Sequence, residues 1–118
     1  FARIHESLRP GGVLLFDAAA PGRVTGPSPL KTYADGGDWV LLMNAEENAE
    51  ARRVTRCITS FRRVGDLFRR DDECHELDLL PPQELLADLE QAGFSVDLLD
   101  SYAGHVLPPG LQGFMARA

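Results

Sequence analysis

The chain has 118 residues, within the size of one domain and long enough to bury a core. Its 44% hydrophobic and 25% charged residues are average for globular proteins and exclude disordered, collagen-like and disulfide-scaffold classes. A formal net charge of -6 gives no basic footprint for nucleic acid, and the Arg residues from Arg52 to Arg70 alternate with apolar and acidic residues as on a solvated sheet face.

Phe1, Ile4 and Leu8 recur at helical spacing, with Arg3, His5 and Glu6 on the other side. Phe1 already belongs to this pattern, so the chain reads as starting inside a longer fold. Pro10-Gly11-Gly12 stops the helix, and the unbroken apolar run Val13 to Phe16 predicts a strand covered on both faces, as in a parallel sheet. Residues 1–17 are therefore helix plus buried strand. Residues 18–38, rich in Gly, Pro and Ser, read as a long irregular connection, a candidate lid or binding loop at the end of that strand.

Residues 39–79 predict an insert of three antiparallel strands: Trp39 to Asn44, Arg52 to Arg63 and Leu67 to Leu79. If Gly65-Asp66 is a two-residue loop, Val64 faces Leu67, Cys57 faces Cys74, and Arg62 meets Arg69 in a repulsive pair. Residues 80–118 predict a helix from Pro82 to the stop at Gly93, a strand Ser95 to Leu99, a Gly/Pro-rich connection Tyr102 to Leu111, and a last strand Gln112 to Ala116. Together these make a single partial domain.

No apolar run approaches the about 20 residues that cross a bilayer, and no signal-peptide pattern opens the chain, so a cytoplasmic protein with no membrane partner is expected. Two Cys without CxxC spacing indicate neither a zinc site nor a redox motif, and a cytosolic setting favours reduced thiols. Three histidines without ligand spacing give no metal site.

In order, FARIHESLRPGGVLLFD, LPPQELLADLEQAGF and LQGFMARA resemble the C-terminal half of a class I S-adenosylmethionine-dependent methyltransferase. The resemblance covers nearly the whole chain. It implies an α/β fold: the fifth, sixth and seventh strands of a Rossmann-like sheet, the seventh antiparallel, with a three-stranded antiparallel insert. Pro81 departs from the Ser or Thr that usually caps the family's penultimate helix. The family's Gly-rich turn after the first strand and acid after the second have no counterpart here, so no cofactor-binding residue is carried over and S-adenosylmethionine would belong to the parent protein. What remains is the side of the pocket that faces a small-molecule acceptor. The isolated chain is expected to be inactive and to associate with the missing N-terminal half. The alternative is a non-catalytic module that forms homodimers through an exposed edge of the Val13 to Phe16 strand.

Methyl transfer asks for alignment of the acceptor and sometimes a base. Asp17, at the strand end, and His75, beside Glu73 and Arg56 in the preferred register, are the candidate catalytic residues; both also suit plain structural roles, a turn acid and a surface histidine. Tyr33 and Trp39, flanking the Gly-rich segment, and Tyr102 and His105, in the last connection, are candidates for substrate contact, with core packing the competing role for Trp39.

Overall fold

Helix α1 (Ala2–Ser7) gives way at Leu8 to an extended backbone, and His5, expected on the polar side, turns inward, its ring edge-on to Phe94 at 4.8 Å. In a computed structural model describing residues 1–118, the chain continues through β1 (Val13–Ala19), β2 (Leu30–Asp35), β3 (Trp39–Asn48), β4 (Arg53–Val64) and β5 (Leu67–Asp78). Helix α2 (Pro82–Gln91), β6 (Ser95–Leu99), β7 (Ser101–Tyr102), β8 (His105–Val106) and β9 (Leu111–Arg117) follow. These elements form two compact units: Phe1–Arg23 with Leu79–Ala118, and Val24–Asp78.

In the first unit β9 lies between β1 and β6 and is antiparallel to both, which makes β1 and β6 run the same way. Pairing Phe16 with Phe114 and Leu14 with Ala116 puts the even-numbered residues of β1 and β9 on one face. That face meets Leu85 and Leu89 of α2 and Phe94. Phe114, Leu89 and Ala116 are wholly buried, and the Phe16 and Phe114 rings stack at 5.0 Å. Burying a side chain such as Leu89 contributes about 1.5–3 kcal/mol.

Turn chemistry frames this core. A Cβ on Gly12 would lie 2.8 Å from the Arg9 carbonyl, so the helix-to-strand turn admits only glycine there. Helix α2 starts at Pro82 with Pro81 as its cap residue, so the missing Ser or Thr cap does not prevent the helix. It ends in a Schellman motif: the Gly93 N–H donates to the Glu90 carbonyl at 3.0 Å and the Phe94 N–H to the Leu89 carbonyl at 3.1 Å.

The expected cover on both faces of β1 is not found. Only β9 pairs with β1, antiparallel, and the helices cover one face, leaving Val13 and Leu15 48% and 52% exposed. The last connection is also more ordered than predicted, since β7 and β8 form a hairpin inside it.

The second unit is a four-stranded antiparallel sheet, β2-β3-β4-β5, not the predicted three strands. The reading of residues 18–38 as a connection overlooked Leu30–Asp35, which pairs with β3 from Leu30↔Ala45 to Asp35↔Val40. The Gly65-Asp66 register is as expected: Val64 faces Leu67 and Arg62 faces Arg69. Asp71 relieves that like-charge pair by holding Arg69 Nε at 3.2 Å. Cys57 faces Cys74 with Cα atoms 4.1 Å apart, and the two form a disulfide, which overturns the expectation of reduced thiols. The pair occupies a non-hydrogen-bonded position of the β4/β5 ladder, where facing side chains come closest.

Candidate active site

Asp17, expected at the strand end, lies inside β1, which pairs with β9 for two residues more, to Ala19; it sits on the exposed face opposite Gly113. Tyr102 reaches it from a sequence distance of 85 residues, and the Tyr102 hydroxyl donates a hydrogen bond to Asp17 Oδ2. Local chemistry aims the ring. Ala103 and Gly104 both have positive φ, 52° and 77°, which gives the tight two-residue turn between β7 and β8. The Leu107 N–H closes the base of that hairpin on the Asp100 carbonyl at 2.9 Å.

The strand ends beside this pair are fixed in turn. Gln112 Nε2 donates to the Leu99 carbonyl at 3.1 Å, holding the end of β6 against β9. The Ala20 N–H donates to the Gly110 carbonyl at 2.9 Å and Arg23 Nη1 to the Pro109 carbonyl at 3.1 Å, so the segment leaving β1 is tied to the segment entering β9.

The electrostatic consequence falls on the phenol. Its bond to Asp17, assisted by desolvation and by the carboxylate's charge, raises the Tyr102 pKa above the ordinary 10.0. Tyr102 therefore remains a proton donor at neutral pH. With Oδ2 engaged, Asp17 presents Oδ1 as a second acceptor.

The other predicted residues divide between the units. His105 faces Tyr102 across the β7/β8 hairpin and is exposed. His75 lies in β5 opposite Arg56, with Nε2 3.4 Å from Glu73 Oε2, the neighbours the register predicted. Tyr33 is 78% exposed on β2 and lines a shallow depression of about 390 Å³ with Lys31, Leu42 and Thr59. Trp39 lies against Gly36, where an added Cβ would fall within the indole, so its ring packs onto its own hairpin. The structure thus joins Asp17 to Tyr102 and sets His105 across the hairpin from Tyr102, while Tyr33, Trp39 and His75 belong to the second unit. Sequence reasoning named Asp17 and Tyr102 separately but missed their bond and the role of Gln112; the Ala103-Gly104 turn was the one local signal for the first.

No group of three or more His, Cys, Asp or Glu side chains is placed to hold a metal, and no helix is long and apolar enough to cross a membrane. For a nucleoside cofactor the relevant feature is a Gly-rich turn from a strand into a helix. The one direct strand-to-helix connection here, Leu79-Leu80-Pro81, has no glycine and places Pro81 at the helix cap. These residues do not fit such a group.

No family model matches the chain. It is 26% identical over 97 residues to YqeM of Bacillus subtilis (strain 168), provisionally named a methyltransferase, across 81% of this chain and 39% of that protein. Two solved structures are similar in fold. An S-adenosylmethionine-dependent methyltransferase from Clostridium acetobutylicum superposes with a TM-score of 0.75 at 17% identity over 98% of this chain and 48% of its own. CalS10, an amino pentose methyltransferase from Micromonospora echinaspora solved with S-adenosylmethionine bound, gives 0.68 at 16% identity over 98% and 48%. The chain spans less than half the length of each of these proteins. With its antiparallel last strand between two parallel ones, it has the fold of the C-terminal half of an S-adenosylmethionine-dependent methyltransferase.

Proposed function

We propose that the chain is the acceptor-side half of a methyltransferase acting on a small molecule, with β1, β6 and β9 as the fifth, sixth and seventh strands of the parent sheet. The observation that carries this reading is the Asp17–Tyr102 pair, two residues before the end of β1. A nucleophilic N–H or O–H must shed its proton as it gains a methyl group, and a positioned carboxylate is suited to receive it. Tyr102 fixes the carboxylate's orientation through Oδ2, and Oδ1 accepts from the acceptor; His105 faces Tyr102 across the β7/β8 hairpin. The amino pentose acted on by CalS10 supports a small polar acceptor.

The donor's half of the pocket lies outside these residues. Titration calorimetry of the 118-residue chain with S-adenosylmethionine is expected to give no binding heat at hundreds of micromolar. A micromolar dissociation constant would overturn this division into donor and acceptor halves.

A further inference from the structure

The outer edge of the second unit's sheet carries a pattern that fits its own copy. In the β2/β3 hairpin the Gly36 N–H donates to the Trp39 carbonyl at 2.9 Å. Backbone bonding alternates along an antiparallel pair, so residues 30, 32 and 34 turn their N–H and C=O groups toward β3. Lys31, Tyr33 and Asp35 turn theirs outward, where β2 has no neighbour. The same three side chains share one face of the sheet, and all are exposed.

We infer that β2 is a homodimerisation edge, pairing antiparallel with β2 of a second copy about a two-fold axis at Tyr33. In this register Lys31 faces Asp35 of the partner copy, Asp35 faces its Lys31, and the two Tyr33 rings adjoin. The three facing pairs each exchange both backbone bonds, because every outward residue meets an outward residue. Shifting the two-fold axis to Thr32 or Ala34 separates the charges and shortens the ladder. One Asp35 oxygen is held by the Gly37 N–H at 2.8 Å, which fixes that carboxylate on the edge and leaves its other oxygen for lysine.

The opposite edge is built differently. Strand β5 carries Arg69, Arg70, Asp71, Asp72 and Glu73 in a row, and its arginines are already bound to acids two residues on, Arg69 to Asp71 and Arg70 to Asp72. Dense charge of this kind blocks strand addition, whereas β2 has one lysine and one aspartate, spaced to satisfy each other across a two-fold axis.

Sedimentation velocity on the full chain tests the pairing. The wild type is expected to dimerise at tens of micromolar, and Lys31→Asp or Asp35→Lys to weaken the dimer about tenfold or more, since each reversal turns both symmetric pairs repulsive. Mixing the two variants is expected to restore a dimer, because every cross-chain pair is then opposite in sign. Tyr33→Pro removes an N–H that β3 does not use and is expected to abolish dimerisation while leaving the hairpin's circular dichroism intact. A monomeric wild type at hundreds of micromolar would overturn the inference. So would a mixture that stays monomeric, or a dimer indifferent to all three substitutions, which would place the contact at the free edge of β1.

Discussion

Asp17 and Tyr102 show what one residue contributes alone and what it gains from a partner. Asp17 was legible as a candidate because it follows an apolar run and α/β sheets place ligands at strand ends, although β1 continues past it to Ala19. Its bond to Tyr102 was not, because it depends on β9 threading between β1 and β6 and on a tight turn that returns Tyr102 toward β1. The bond has a measurable signature. Since the folded pKa of Tyr102 is raised, its contribution to stability is fully present below the phenol's unfolded value of 10.0 and is lost as pH rises through the folded value. Ultraviolet titration of a Tyr33→Phe variant, in which Tyr102 is the remaining tyrosine, is expected to show the phenol ionising at higher pH than in the same variant carrying Asp17→Ala, which removes the acceptor. Superimposed curves for the two variants would show that the bond does not form in solution.

Strands betray themselves by alternation only where a face is covered. Strand β4, alternating in Val54, Arg56 and Ile58 and anchored by a two-residue turn, was readable, and its register fixed β5 although all of β5 is exposed. Strand β2 has neither aid: five of its six residues are exposed, and it is flanked by Gly- and Pro-rich sequence, so Leu30–Asp35 passed for a connection. The β4/β5 register also carries the disulfide. The facing positions of Cys57 and Cys74 were in the sequence, but the choice between thiol and disulfide rested on an assumed compartment. Thiol counting under denaturing, non-reducing conditions is expected to find none, and two per chain would contradict the bond. Replacing both by serine is expected to cost about 3 kcal/mol for a closed loop of this size, read as a lower midpoint in urea; the sequence separation is 17.

For the whole molecule, the two units divide the candidate residues, and only the first joins two of them in a bond. The fold class was legible because three short phrases in a fixed order reflect the packing of helix, strand and antiparallel strand. The apolar run of β1, which promised cover on both faces, is covered on one, because the remaining face has no element of this chain against it. The reading of β1 as the acceptor side leads to a test in the longer parent chain that separates acceptor from donor chemistry. Asp17→Asn keeps the size of the side chain and one oxygen to receive the Tyr102 hydroxyl, but it cannot take up a proton. If Asp17 acts on the acceptor, kcat falls by about 10²-fold or more, as for loss of a general base, while the dissociation constant for S-adenosylmethionine is unchanged. Tyr102→Phe, which frees the carboxylate without removing it, is expected to lower kcat less than Asp17→Asn does. Loss of cofactor affinity in either variant would place the pair on the donor side, and unchanged turnover in Asp17→Asn would reduce it to a strand-end contact.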